Sequence, residues 1–197
     1  IPFTSFSHIS FFHLAEPKFY AVFYEELFRR YKNWEDLPSV WRENKRTDAK
    51  WLIGQLRAKL AQDPAGRMEP VRVLSIGSGV GYMEKILLEE MPELELHVNE
   101  PSTVGMKWLR EYIPSDRIYI GLPPMCLPSD VQYDMIYLST VDYGIPTREF
   151  QHLLWELRAQ LAPGGELVLL SASLLEEDSF IGSFVNAIKI GIRAVLH

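Results

Sequence analysis

The chain has 197 residues, of which 47% are hydrophobic and 23% are charged. This length and composition are typical of one globular domain with a full core, with room for an added segment. The formal net charge of -6 argues against nucleic acid as a partner. A single cysteine, Cys126, excludes an internal disulfide and a cysteine-rich zinc site, and it favours a reducing, cytoplasmic setting. No apolar run is long enough to span a bilayer, so we expect no membrane partner.

Aromatic residues crowd the start of the chain, where we expect a helical segment over residues 1–66, ahead of an α/β core over residues 67–197. A helical pattern from Pro17 to Lys32 places aromatic side chains on one broad face. A second helix is predicted from Asp48 to Gln62. This segment either packs as an extra layer on the core or forms a lid whose rings wall an acceptor pocket.

Three basic residues, Arg42, Lys45 and Arg46, fall between the two predicted helices. A solvated charged face is the simplest interpretation of such a cluster. The alternative is a site that holds an anionic acceptor.

A ligand-binding turn is predicted from Val71 onward. A short apolar run indicates a buried parallel strand, Gly77, Gly79 and Gly81 follow it, and helical spacing begins at Tyr82. Glycines let the backbone turn sharply and let a ligand approach, and free N–H groups at the helix start face that ligand. A dinucleotide fingerprint needs glycine where Tyr82 stands, which disfavours an NAD-dependent oxidoreductase. A tight turn with no ligand is the alternative.

A second strand is predicted from Leu94 to Glu100. Glu100 follows the glycine loop by about twenty residues, the spacing at which a carboxylate reaches ribose hydroxyls. Neighbouring parallel strands place the loop and this strand end side by side. Pro101 and Ser102 come next, where they can lie against a purine. An exposed strand-end acid without a ligand is the alternative.

Strands and helices alternate through the rest of the core, which predicts a parallel sheet covered on both faces. The predicted elements are a helix through Met106 and Tyr112, a strand Arg117–Ile120, a proline-rich loop Gly121–Pro128, a strand Tyr133–Ser139, a helix from Thr147, a turn Ala162–Gly165 and a strand Glu166–Ser171. Beyond them, apolar spacing from Phe180 to Ile192 predicts a helix.

Several motifs between Val71 and Ser171 occur in a known order. They are V-L-x-I followed by G-x-G-x-G, the strand start Tyr133-Asp134-Met135-Ile136, and Leu161-Ala162-Pro163-Gly164-Gly165-Glu166-Leu167-Val168-Leu169. This half of the chain resembles the class I methyltransferases that use S-adenosylmethionine. The resemblance implies a doubly wound, mostly parallel Rossmann-like sheet with an added N-terminal helical segment, here without the two final strands of the usual fold. It implies S-adenosylmethionine as cofactor and S-adenosylhomocysteine as product.

The resemblance also implies roles for residues of this chain. Glu100 would hold the ribose, with Pro101 beside it, and Ser139 would lie near the transferred methyl group. The other cofactor-binding residues would be Gly77, Ser78, Gly79, Gly81 and Tyr82 around the methionine part, and Gly121 and Leu122 beside adenine. The family often has an acid where this chain has Ser75, and an acid or amide where it has Leu122.

Methyl transfer is an in-line displacement, for which an enzyme aligns the nucleophile and removes its solvent. Asp142 is the first candidate for a general base and His152 the second, with Tyr143 packing on the acceptor. Plain loop roles are the alternative for Asp142 and Tyr143. No clustered pattern of His, Asp and Glu calls for a metal.

The sequence therefore predicts an S-adenosylmethionine-dependent methyltransferase that acts on a small-molecule acceptor. The alternative from a different class is a non-catalytic module that binds the cofactor. The sequence leaves the acceptor atom and the formation of a homodimer open.

Overall fold

A five-stranded parallel sheet forms the centre of the fold. The computed structural model describes residues 17–61, 70–141, 145 and 147–170. The strands lie in the order β3-β2-β1-β4-β5, and every neighbouring pair is parallel. Their bounds are β1 Arg72–Ile76, β2 Glu95–Glu100, β3 Ile118–Ile120, β4 Tyr133–Ser139 and β5 Leu161–Leu170. The order reverses between β1 and β4, where such sheets bind ligands. The predicted doubly wound parallel sheet is confirmed.

Two apolar cores lie on opposite faces of this sheet, because alternate residues of a strand point to opposite sides. In β4, Met135 and Tyr137 belong to one core, and Ile136 and Leu138 belong to the other. All four side chains are fully buried. Burial on both faces explains why this strand is an apolar run rather than an alternating pattern.

The described ranges contain four α-helices that pack on the sheet: α1 Pro17–Arg30, α2 Ser39–Ala61, α3 Tyr82–Glu90 and α4 Thr147–Arg158. Buried side chains of α1 and α2, among them Leu27 and Leu52, share one core with α3 and the sheet. Burying such a side chain contributes about 1.5–3 kcal/mol. None of the helices in the described ranges is long and apolar enough to cross a membrane.

The start predicted for the second helix, at Asp48, is wrong. Helix α2 begins at Ser39, and its first helical hydrogen bond runs from the Arg42 amide to the Pro38 carbonyl at 3.0 Å. Its first turns are mostly polar, so apolar periodicity could not reveal them. The basic residues Lys45 and Arg46 consequently lie on a helix rather than in a connection.

The helix predicted through Met106 and Tyr112 is also wrong. Two short 3-10 turns take its place, Gly105–Lys107 and Leu109–Glu111, and a third, Ser115–Arg117, follows. Glycine at the start and Pro114 near the end oppose a longer helix. Tertiary packing decides the path, because a Cβ at Gly105 would lie 2.8 Å from the Tyr24 ring of α1.

Strand β5 starts earlier than the predicted Glu166. Tyr133 pairs with Leu161, and the next pair along β4 is Met135 with Glu166, so residues 162–165 bulge out of the ladder. Gly164 supplies the positive φ of 73° that this bulge contains. The end of the predicted strand at Ser171 and the helix predicted over Phe180–Ile192 lie outside the described residues.

Candidate cofactor site and active site

Three glycines between β1 and α3 adopt left-handed backbone. Gly77, Gly79 and Gly81 have φ values of 68°, 61° and 76°, a region that costs other residues about 1–2 kcal/mol. A Cβ on Gly77 would lie 2.3 Å from Val141, and one on Gly81 would lie 2.2 Å from Leu109. At Gly79 the nearest atom would be the Tyr24 hydroxyl, at 3.5 Å. Among the described residues, Gly79 therefore faces a polar atom at contact distance, whereas Gly77 and Gly81 face packed carbon.

Hydrogen bonds tie this loop to the carboxyl end of β2. The amides of Gly77 and Ser78 donate to the Asn99 carbonyl at 2.9 and 3.0 Å. The Gly79 amide donates to Oε2 of Glu100 at 2.9 Å. The loop and the acid thus lie side by side at the edge of the sheet, as parallel topology predicts.

Glu100 is a buried carboxylate, with 2% of its surface exposed. Besides the Gly79 bond, its Oε1 accepts from the Ser102 amide at 3.2 Å, and the Tyr24 hydroxyl also bonds to it. Burial raises the pKa of Glu100 to about 7, against the opposing effect of these hydrogen bonds. The acid is therefore not an exposed strand end.

The loop after β3 is held against β2 by Asn99. Its Nδ2 donates to the Gly121 carbonyl at 3.0 Å, and the Gly121 amide donates to the Glu100 carbonyl at 3.3 Å. Pro101 is partly buried at this position. Leu122 is 49% exposed, so it offers apolar surface beside Gly121 where the family often has a polar side chain.

Two buried polar atoms near Glu100 lack a hydrogen-bond partner within the described part of the chain. They are Oδ1 of Asn99 and Oγ of Ser102. Buried polar atoms are normally satisfied, and a polar ligand beside Glu100 is one way to satisfy these two. Together with the space at Gly79 and the carboxylate of Glu100, they fit a polar ligand such as a nucleoside.

A lysine from α2 reaches the carboxyl end of β4. Nζ of Lys45 donates to Oγ of Ser139 at 2.7 Å and to Oγ1 of Thr140. Burial lowers the pKa of Lys45, and the charges of Asp48 and Glu84 oppose that shift. The predicted solvated face is therefore wrong for this residue. Sequence reasoning did not place Lys45 beside Ser139, because the start of α2 carries no apolar signal.

Glu84 brings a second buried carboxylate to this region. Its Oε1 accepts from the hydroxyls of Ser75 and Tyr137, each at 2.6 Å. Burial raises the pKa of Glu84 and of Tyr137. An acid thus contacts Ser75, the position where the family often carries its own acid. In the sequence Glu84 is a glutamate in the first turn of α3, and glutamate is usually an exposed residue.

Tyr82 is held by α2. Its ring lies 5.7 Å from that of Trp41, and its hydroxyl accepts from Arg46 at 3.1 Å. Arg42 donates to the Leu37 carbonyl at 3.0 Å instead. Of Arg42, Lys45 and Arg46, Lys45 is the residue that hydrogen-bonds to the end of β4.

The catalytic candidates Asp142 and Tyr143 lie outside the described residues, so they stay predictions. His152 is not brought to the sheet edge, since its side chain is 71% exposed on α4, 3.8 Å from Glu156. Within the described ranges no group of His, Cys, Asp and Glu could hold a metal ion.

Structural comparison finds proteins with the same architecture. The SAM-bound magnesium protoporphyrin IX methyltransferase from Synechocystis aligns with a TM-score of 0.55 and 14% identity, over 83% of this chain and 76% of its own. The DhpI complex with SAM and HEP aligns with a TM-score of 0.51 and 17% identity, over 86% of this chain and 70% of its own. A SAM-bound amino pentose methyltransferase from Micromonospora echinaspora aligns with a TM-score of 0.50 and 21% identity, over 78% of this chain and 58% of its own. No protein-family model and no curated protein sequence matches the chain.

The chain has the class I methyltransferase fold. At 21% identity or less, the likeness concerns the architecture. Within this methyltransferase fold, the glycine loop follows β1, Glu100 is the last residue of β2, and Ser139 is the last residue of β4. All three therefore lie at one edge of the parallel sheet.

Proposed function

We propose that the protein is an S-adenosylmethionine-dependent methyltransferase that acts on a small-molecule acceptor. The observation that carries the proposal is the contact between the Gly79 amide and the Glu100 carboxylate, at the carboxyl edge of a methyltransferase sheet. Structural neighbours with this fold were crystallised with SAM, and two are described as methyltransferases of an amino pentose and of magnesium protoporphyrin IX. Both of those acceptors are small molecules.

The residues present fit this cofactor. Gly77, Ser78, Gly79, Gly81 and Tyr82 are proposed to surround the methionine part. A carboxylate accepts from ribose hydroxyls, which gives Glu100 its proposed role, with Pro101 beside it. Gly121 and Leu122 are proposed to border adenine, through backbone and apolar contact.

Residues of this chain are proposed to position the acceptor and to remove its proton. The bound cofactor supplies a methyl group on a sulfonium centre, which is open to in-line displacement. Ser139 ends β4 next to the glycine loop and lines the acceptor side. Asp142 is proposed to remove the proton of an acceptor hydroxyl, and Tyr143 to pack on the acceptor. The remaining contribution is alignment and exclusion of water, which α1 and α2 support by closing over the edge.

We also propose that the segment 1–66 acts as a lid on the core 67–197. Tyr24 of α1 and Lys45 of α2 both reach the sheet edge. A lid that contacts Glu100 through Tyr24 and Ser139 through Lys45 separates the site from solvent when it closes.

Calorimetric titration with S-adenosylmethionine, S-adenosylhomocysteine and NAD tests the cofactor. We expect both adenosyl compounds to bind and NAD not to bind; binding of NAD alone would refute the assignment. Turnover of S-adenosylmethionine on an acceptor panel then separates an enzyme from a non-catalytic module, which would bind the cofactor and methylate nothing.

A further inference from the structure

Three polar side chains form a cluster at the carboxyl end of β4. Lys45 donates to Ser139 at 2.7 Å and to Thr140, and the two hydroxyl oxygens are 3.4 Å apart. All three residues are partly buried rather than sealed. A molecule at the edge of the sheet can therefore reach them.

The cluster carries an ammonium whose hydrogen-bond acceptors, among the described residues, are neutral hydroxyls. The carboxylates of Asp48 and Glu84 both attract Lys45 through charge, and Oε1 of Glu84 accepts hydrogen bonds from Ser75 and Tyr137. A charge taken out of water is compensated best by an opposite charge that also hydrogen-bonds to it. An ammonium has three N–H donors, of which Ser139 and Thr140 take two, so Lys45 retains one donor for an anion.

The hydroxyls of Ser139 and Thr140 are a further source of hydrogen bonds to an anion. Ser139 and Thr140 accept from Lys45, and one of the two hydroxyls donates to the other at 3.4 Å, which leaves one O–H group to donate to a further acceptor. Thr140 has a φ of 59°, and it is the single non-glycine residue with positive φ in the described ranges. Such backbone costs about 1–3 kcal/mol and clusters at functional sites.

We propose that Lys45, Ser139 and Thr140 bind an anionic group of the methyl acceptor. The acceptor is then a small carboxylate or a small phosphoryl compound, because ammonium and hydroxyl donors form their strongest hydrogen bonds with such oxyanions. This inference rests on the proposed function, since the end of β4 is the acceptor side only if the cofactor occupies the glycine loop.

The test is calorimetric titration of the protein loaded with S-adenosylhomocysteine. The probes are benzoate, phenylphosphonate and neutral benzamide. For the wild type we expect at least one anion to bind about tenfold more tightly than benzamide. Lys45→Met should abolish this preference, and Lys45→Arg should retain part of it. Lys50→Met is the matched control, because Lys50 is an exposed residue of the same helix, and it should behave as the wild type.

The outcomes separate this inference from the proposed function. If the wild type does not bind S-adenosylhomocysteine, the proposed function fails, and titration of the unloaded protein with the same probes decides the anion site. If the cofactor product binds but neither anion exceeds benzamide, the anion site is refuted. It is equally refuted if Lys50→Met loses as much preference as Lys45→Met. Should Lys45→Met fail to fold, the double variant Ser139→Ala and Thr140→Val, which keeps the ammonium, must weaken the preference.

Discussion

Tyr24 of α1 hydrogen-bonds to the carboxylate of Glu100 at the end of β2. The same carboxylate accepts from the amides of Gly79 and Ser102. A carboxylate offers about four acceptor positions, so these three donors leave about one. Two ribose hydroxyls need two positions, and Tyr24 is the donor that can leave without breaking the loop. For Glu100 to bind both ribose hydroxyls, Tyr24 of α1 must therefore release the carboxylate.

The pKa of Glu100 predicts how affinity for S-adenosylhomocysteine depends on pH. Ribose hydroxyls donate to the ionised carboxylate, and burial places the pKa of Glu100 at about 7. Affinity should therefore rise from about pH 6 to about pH 8 and then level off. Glu100→Gln should remove this rise and weaken binding at the upper end by about tenfold. Calorimetry across this range measures both, and a wild-type affinity that does not change with pH would contradict the assignment.

Removal of the Tyr24 hydroxyl should shift the pH dependence of the affinity for S-adenosylhomocysteine. The hydrogen bond from Tyr24 lowers the pKa of Glu100, so Tyr24→Phe should shift the midpoint of the affinity curve to higher pH. Above the midpoint, binding should be at least as tight as in the wild type, because an acceptor position is freed. Tyr31→Phe, just beyond the same helix, is the control and should leave the curve in place. A curve for Tyr24→Phe that matches the wild type would show that the contact is not maintained in solution.

The same group should make folding stability depend on pH. The pKa of Glu100 rises from 4.5 to about 7 on folding, so the folded state binds more protons between these values. Its contribution is fully present below about pH 4.5 and is lost as pH rises toward about pH 7. The loss is on the order of 3 kcal/mol. Urea unfolding of the wild type and Glu100→Gln at about pH 4.5 and about pH 8 measures it. The variant should show a smaller fall, whereas an equal fall would mean that Glu100 is not desolvated.

The fold was predictable from the sequence where local pattern and topology agree. Strand β4 is an apolar run between turns, and the glycine loop meets Glu100 because parallel strands end at one edge. The path of residues 105–117 was not predictable, since packing under Tyr24 overrides helical spacing there. The placement of Lys45 beside Ser139 and the burial of Glu84 were not predictable for a related reason. The partners of these two side chains come from distant strands, and no local pattern encodes which strand end a helix crosses.

Three glycine variants separate the roles of backbone strain, packing and ligand space. Gly79→Ala and Gly164→Ala both place alanine at positive φ, 61° and 73°, with no atom of the described residues closer than 3.5 Å to the new Cβ. Each should cost about 1–2 kcal/mol of stability from strain alone. Only Gly79→Ala should also weaken S-adenosylhomocysteine binding, because Gly164 lies in the bulge of β5. Gly81→Ala should cost more stability than either, since its Cβ would lie 2.2 Å from Leu109.

Urea unfolding and calorimetry on the folded variants measure these effects. Because Gly79→Ala and Gly164→Ala carry the same type of strain, a difference in affinity between them reports contact with the ligand rather than loss of stability. Equal affinities in the two variants would remove Gly79 from the cofactor site. The loop would then be a tight turn whose glycines serve only the approach of Val141 and Leu109, and the cofactor assignment would have to be sought elsewhere on the sheet edge.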